Sequence, residues 1–575
     1  MTQQGEASAA KAPKASPALA EPSALPPDAR RALRLGLLLM ALLRVVYHVA
    51  FVLYDPFALV SFSDGQLYEQ AARDIVAHAP LGTQPFYLQG LYAYLLALGM
   101  SLHTAILNAL LLQLLVAACA LWLFARAARS VLGPWLGSLS TLVLLCYPNV
   151  AFYENKYLSV ALGIACNVTV LWAFVTFDRK PSAGRALLLG VCSGLSVLGR
   201  ANLLLALPMS AWAVWLSCRA RQRLPSPVLL GFAAGVLLAL APMAARNLVV
   251  TGHPDVLPSH GGGIPFYIGN NPHANGRWND AGGLLTGQVD LERDQLAQGL
   301  GITGQGRALD DALGKALYRR AFGYIVSQPG PWLALEAQKL WCTLGNHDFV
   351  RDYDLFGERE LLGDLPLPMG IPFGVLLGLG ALGLWILHTQ SRGNAPGALQ
   401  RRALFWVLLG QLVAVLAANV LWFSSAQNRV PLAIPLAFAA GPAVLALAKR
   451  VDRKLQTPWP GPASWTAIAL CGILCAQAFW PRMDSYRASS VHYYNLANVE
   501  ETLGRGEDAL AHYRLAAEHN PRQPMFRLRE AHLARLLGKR ERAEQALGSL
   551  RALQSVPPII RKAAAREQRL LDQAP

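Results

Sequence analysis

Charge is scarce in this sequence. Only 15% of its 575 residues are Asp, Glu, Lys or Arg and 54% are hydrophobic, whereas a soluble domain carries roughly a quarter charged residues. That shortage excludes an ordinary water-soluble fold over most of the length. The cysteines form no framework. Cys119, Cys146, Cys166, Cys192, Cys471 and Cys475 lie in or beside apolar stretches, where they act as small hydrophobes. Cys218 falls in a basic loop, Cys342 has no sequence partner, and no spacing matches a zinc site. A phosphate-binding loop is missing too, because the run Gly261-Gly262-Gly263 is not followed by Gly-Lys-Ser/Thr. The first apolar segment is too long for a signal peptide and has no small-residue cleavage pattern after it, so we expect a retained helix.

Acidic residues are the rarer sign, 35 against 51 Lys and Arg, for a net charge of +16. In a soluble domain that excess points to nucleic acid. Here the positive charges sit in short loops between apolar runs, which is a topology signal, so nucleic acid is not an expected partner.

Long apolar runs fill the rest of the chain, and many reach the ~20 residues that cross a bilayer. Spans are expected near Leu33–Tyr54, Thr104–Leu123, Trp135–Cys146, Leu158–Phe177, Ala186–Leu198, Asn202–Leu216 and Val228–Val249. More follow near Gly370–Leu387, Ala403–Phe423, Val430–Leu447 and Trp465–Trp480. The expected fold is all-α, a polytopic membrane protein of about 11 transmembrane helices. An Ala-, Pro- and Ser-rich tail (residues 1–30) reads as disordered. A transmembrane domain over residues 31–485 carries large outer loops at about 55–103 and 250–368, and a distinct region follows over 486–575.

Basic residues fix the expected orientation. Arg30, Arg31 and Arg34 precede the first span, and Arg126/Arg129, Arg179/Lys180/Arg185, Arg219/Arg221/Arg223, Arg392/Arg401/Arg402 and Lys449/Arg450/Arg453/Lys454 follow the even-numbered ones. The rule that positive loops stay inside puts the N-terminus in the cytoplasm and the odd loops and the C-terminal region outside.

The C-terminal region repeats. Leu503-Gly504 recurs as Leu537-Gly538, a period that matches the 34-residue tetratricopeptide unit. Tyr493, Leu496, Ala497, Gly504, Ala509, Tyr513, Ala516 and Pro521 stand at that repeat's packing positions, and Ala531, Gly538, Ala543 and Leu547 continue a second copy. Glu500 departs from the pattern, where a large apolar residue is usual. Two copies fall short of the three or so needed for independent stability. Support is expected from the membrane domain, from a last helix over Pro558–Leu571 or from a partner. Such arrays are built for binding, so a peptide partner is expected.

Asp64 is the leading site candidate. It follows the first span by a few residues and opens Ser63-Asp64-Gly65-Gln66-Leu67-Tyr68. Ser63 and Gln66 match a capping box, and Leu67, Ala71, Ala72 and Ile75 form a helical apolar stripe expected to lie on the membrane surface. The helix dipole alone also favours an acidic residue there. Three further features weigh toward chemistry. Glu154, in the next outward turn, is a second carboxylate able to orient an acceptor or bind a metal, or merely to pair with Lys156. Arg200, Arg246 and Arg429 lie at outward span ends, where a lipid phosphate needs guanidinium contacts. The glycine run leading to Asn270 is placed to form a lip over the site. His347-Asp348 reads as a hydrogen-bonded loop pair, and Pro329-x-x-Trp332-x-x-x-Glu336-x-x-Lys339 as an interfacial helix.

Together these pieces resemble the membrane-embedded glycosyltransferases of the GT-C fold, particularly the bacterial protein-mannosyltransferase-like (family 39-like) branch. The resemblance rests on Asp64-x-x-x-Tyr68, Glu154, Gly199-Arg200, Pro242-x-x-x-Arg246-Asn247, Gly269-Asn270-Asn271-Pro272 and Arg429-x-Pro431, in that order. It covers Leu33 to about Arg450. It implies sugar transfer from a polyprenyl-phosphate donor to an acceptor hydroxyl on protein or glycan, with inversion, at the outer face of a bacterial inner membrane. Asp64 would be the base. Arg200 and Arg246, or a bound divalent ion, would stabilise the leaving phosphate. Tyr68 and Glu154 would hold the acceptor, Asn270 and Arg429 would complete the site, and the first and seventh spans would form part of the donor groove. Gly65 departs from the acidic residue that often follows the catalytic aspartate, and Gln84-Pro85-Phe86-Tyr87 from the family's paired prolines. Two other classes compete. A scaffold presenting the repeats to an envelope assembly predicts that Asp64→Asn is harmless. A lipid-linked sugar transporter predicts buried mid-span charges, of which Arg44 alone is visible in the sequence.

Overall fold

The computed structural model of the chain describes residues 26–102, 105–257, 262–278, 293, 296–304, 306–363, 370–392, 397–451, 465–477, 489–554 and 556–573. Residues 1–25 of the expected tail, Gly261, Arg453 and Lys454 lie outside them. The described residues form helices, with one isolated bridge between Arg277 and Ser424. The protein is an all-α polytopic membrane protein.

Among the described residues, 8 helices are long and apolar enough to cross a bilayer: Pro27–Tyr54, Ile106–Leu132, Ser159–Arg179, Ala201–Arg219, Ser226–Thr251, Phe373–Gln390, Ala398–Leu421 and Ala426–Ala448. The expected third span is the helix Pro134–Leu145, which after a 63° bend leads into Pro148–Glu154. Pro148 lacks the N–H that would continue the first helix and disfavours helical geometry at Tyr147. Two further expected spans are the shorter helices Ala183–Gly199 and Trp465–Ala476, of 17 and 12 residues. Gly90–Leu102 is an apolar helix inside what was expected to be an outer loop.

Small residues set close helix contacts. Ala183–Gly199 and Ser226–Thr251 meet backbone to backbone. A Cβ on Gly190 would run into the Phe232 carbonyl, and one on Gly235 into that of Leu187. Between apolar helices in lipid, such close approach supplies the packing that a hydrophobic effect cannot. Arg200 is the C-cap residue of Ala183–Gly199.

Four C-terminal helices, Ser490–Thr502, Gly506–His519, Pro524–Leu536 and Arg540–Arg551, pack in sequence around one apolar core. Gly504 and Gly538 occupy the same place in successive turns with φ of +76° and +73°, a conformation that costs glycine little. Buried Glu500 is satisfied by His512 Nδ1 at 2.7 Å. A last helix, Pro558–Gln573, packs against the second pair. The first helix docks on the loop after Arg351. Ser489 N donates to Asp354 Oδ2 (2.8 Å), Asn495 Nδ2 to the Asp352 carbonyl (2.6 Å) and Tyr493 OH to Glu360 (2.7 Å).

Candidate active site

Asp64 is the first residue of the helix Asp64–Ala77. The chain enters it through Ser63, a non-glycine residue at φ +53°. The expected capping box does not form, because Ser63 makes no cap hydrogen bond. Its hydroxyl turns away and donates to Asp352 Oδ1 at 2.7 Å, so the strained residue ties the helix start to a loop 289 positions on. Gly65 packs under the Tyr157 carbonyl, where a Cβ would lie 3.0 Å away. A larger residue there would push against backbone.

Asp64 lines a cavity of about 1210 Å³. Arg351 donates to its Oδ1 at 2.9 Å and lies over the Trp278 ring, 4.4 Å from the centroid. Tyr68, one helical turn on, is buried, donates to Gln89 and meets Tyr92 edge to face at 4.7 Å. Burial pushes its phenol well up, so it stays protonated. Arg200 reaches the same cavity and donates to Asn428 Oδ1 at 3.2 Å. Its Nε is buried without a hydrogen-bond partner. Beside Asp64, burial raises the Asp352 carboxyl above the usual range. Arg277, His347 and Asp348 also face this space.

The cavity joins two kinds of surface. Leu204, Leu205, Leu421 and Trp422, at the ends of spans, form an apolar side. On the C-terminal helices, Tyr494, Asn495, Asn520, Gln523, Met525 and Phe526 form another, without a charged side chain. The first and seventh spans, expected as donor groove, contribute no residue to its wall.

Of the seven expected site residues, Asp64, Tyr68 and Arg200 reach this cavity, and the other four lie behind its wall. Glu154 is 3% exposed and paired with Arg44, with His48 Nε2 at 3.5 Å. Lys156, its expected partner, pairs with Glu358 instead. Arg246 donates to the Leu81 and Gln84 carbonyls at 2.8 and 2.7 Å and lies 3.8 Å from the Phe86 ring centroid. It therefore braces the loop that carries Tyr87 and Gln89 into the cavity. Arg429 is buried against Asp348, the Gly345 carbonyl and Phe373, bracing the loop that carries Arg351. Asn270 receives bonds from Trp332 Nε1 and Lys339 Nζ, both at 3.1 Å, and donates to the Leu421 carbonyl. Helix Pro329–Leu344 forms as expected. Its Lys339, however, points inward and is fully buried.

Sequence reasoning missed Arg351, Trp278 and Asp352. A signal was present: Asp348-Phe349-Val350-Arg351-Asp352-Tyr353-Asp354 places four charges in seven residues of a charge-poor chain. Among the described residues, no group of three or more His, Cys, Asp or Glu side chains could hold a metal ion. The described residues thus supply no such group for the divalent ion that the resemblance leaves open.

No family model and no curated protein sequence matches the chain. Solved structures similar to it include the archaeal oligosaccharyltransferase AglB from Archaeoglobus fulgidus in complex with an inhibitory peptide and a dolichol-phosphate (13% identity, 82% of this chain and 56% of that chain, TM-score 0.37). Another is ArnT from Cupriavidus metallidurans bound to undecaprenyl phosphate (16% identity, 76% of this chain and 77% of that chain, TM-score 0.31). The chain thus spans about half the length of the archaeal enzyme it matches. At these scores the likeness carries no argument about the site, which stands on its own geometry.

Proposed function

We propose that this protein is a GT-C-like membrane glycosyltransferase that moves a sugar from a polyprenyl-phosphate donor to an acceptor hydroxyl, with inversion. The observation that carries the reading is one cavity in which a carboxylate (Asp64) and two guanidinium groups (Arg200 and Arg351) face a space open to apolar span ends. The donor's tail lies against Leu204, Leu205 and Leu421, all more than two-fifths exposed. Its phosphate sits at the membrane boundary near Arg200 and Arg351.

The chemistry follows from the charges. The acceptor oxygen attacks the anomeric carbon from the face opposite the phosphate. Asp64 takes the hydroxyl proton, a new C–O bond forms, and the bond to phosphate breaks with its electron pair. The leaving phosphate gains one negative charge. Arg200 and Arg351, both lining the cavity, stabilise it. No step is routed through a metal. Tyr68 stays a neutral donor that holds substrate or Gln89 in place.

In this reading residues 31–485 form the transferase domain, and residues 486–575, a tetratricopeptide-like array, supply the acceptor side. Asn495, Asn520 and Gln523 offer amide donors and acceptors that complement a peptide backbone. Tyr494, Met525 and Phe526 offer adaptable apolar contacts. We therefore assign a polypeptide acceptor, an outward C-terminal region, a cytoplasmic N-terminus and a bacterial inner membrane. The test supplies membranes bearing the full chain with labelled polyprenyl-phosphate sugars and fractionates the product. Label in protease-digestible material with an inverted anomeric linkage supports the reading. Protein-dependent label that stays in lipid contradicts it.

A further inference from the structure

The Asp64–Arg351 ion pair differs from the pairs Arg44–Glu154 and Lys156–Glu358. Arg44–Glu154 is sealed, with side chains 8% and 4% exposed, and Lys156–Glu358 is sealed at 0% and 3%. Asp64 and Arg351 keep 16% and 17% exposure, and both face the cavity. Arg351 does not owe its place to Asp64 alone. Its guanidinium lies over Trp278, and the next residue, Asp352, is anchored by Ser63 while its carbonyl receives Asn495. A planar guanidinium on an aromatic face keeps that contact while its edge N–H groups change partners.

We infer that Arg351 is a donor-phosphate ligand that Asp64 holds in reserve, so that donor binding exchanges the guanidinium from carboxylate to phosphate and releases the base. This rests on the transferase reading above. The exchange breaks no covalent bond. An incoming phosphate oxygen takes the N–H now given to Asp64 Oδ1, and Asp64 turns to the acceptor hydroxyl. The electrostatics favour the exchange through the reaction. Asp64 loses its charge when it takes the proton, while the leaving phosphate gains one, so a cation between them follows the negative charge. Arg200, which also lines the cavity, is the fixed half of the clamp. Without donor the base stays engaged, which guards against transfer of a proton with no sugar to transfer.

The competition has a signature that a merely structural ion pair lacks: removing the base's charge strengthens phosphate binding. Purified full-length protein in lipid nanodiscs is titrated calorimetrically with undecaprenyl phosphate, and separately with inorganic phosphate. Wild type is compared with Asp64→Asn, Arg351→Gln and the double variant, all checked for unaltered thermal unfolding. Asp64→Asn is expected to bind undecaprenyl phosphate about fivefold tighter, the value of a partly exposed ion pair. Arg351→Gln is expected to bind roughly tenfold weaker or worse. The double variant should match Arg351→Gln, because the gain acts through Arg351. A gain with inorganic phosphate as well supports exchange at the headgroup. Equal affinity of Asp64→Asn and wild type, or unchanged affinity of Arg351→Gln, overturns the inference and leaves the transferase reading standing. Failure of the wild type to bind undecaprenyl phosphate overturns the donor class, and this inference with it.

Discussion

Glu154 and Arg44 offer a sharp separation of structure from chemistry. The two side chains are 4% and 8% exposed and pair directly, with His48 Nε2 3.5 Å from the carboxylate. Glu154→Gln leaves Arg44 charged in a site with almost no water. Breaking a buried pair by removing one partner costs about 3–5 kcal/mol, and the low exposure calls for no discount by solvent screening. Removing both charges lifts most of that cost, because the orphaned cation is what is expensive. The double variant Arg44→Met/Glu154→Gln is therefore expected to recover more than half of the lost stability. Because neither residue lines the cavity, it should recover transfer as well. Denaturant unfolding in mixed micelles reads the stability, and sugar transfer in membranes reads the activity. A double variant that is stable yet inactive, beside an active Arg44→Met single variant, would refute the structural assignment and return Glu154 to the chemistry.

Other consequences follow from specific contacts. Burial lowers the His492 imidazole to about 4, against roughly 6.5 unfolded, so between those values the unfolded chain holds more protons and the His492 contribution to stability is lost as pH falls. Asp354 at the same docking surface has a raised carboxyl and acts in the opposite sense, so the test is a difference. The pH slope of C-terminal protease resistance in that window should flatten in His492→Asn, and an unchanged slope would contradict the assignment. Gly235→Leu forces a side chain into the Leu187 carbonyl and should cost about 1–3 kcal/mol or more. It would lower the yield of folded protein in membranes, and a normal yield with normal unfolding would count against the packing described. Gln523→Arg at the C-terminal wall should raise the acceptor KM several-fold without changing undecaprenyl phosphate affinity. A change in donor binding instead would place Gln523 on the wrong side of the reaction.

How much of this was legible beforehand depends on range. The spans were readable because lipid demands a run of apolar residues, and composition reports that locally. The break at Tyr147-Pro148 was in the sequence, yet a single proline does not say whether a span kinks or ends. Asp64 was legible from its position just past the first span. Its partner was not, since Arg351 lies 287 residues away and only tertiary packing brings them together. The same holds for Arg44 and Glu154, 110 residues apart. Each was visible as a charge near the membrane, and nothing local said that they neutralise one another. Arg246 and Arg429 were expected at the site, but a buried arginine that braces carbonyls and one that binds a phosphate look alike in sequence. Glycine spacing identified the C-terminal turns at Gly504 and Gly538, whereas the docking of Ser489, Tyr493 and Asn495 beside the cavity was beyond any periodicity argument.

The most direct test compares membranes holding equal amounts of wild-type protein and Asp64→Asn for transfer of labelled sugar from polyprenyl phosphate into protein. The account predicts robust transfer by wild type and a loss of at least about a hundredfold in the variant, the scale of a lost proton acceptor. Equal transfer by the two would contradict the assignment of Asp64 as the base.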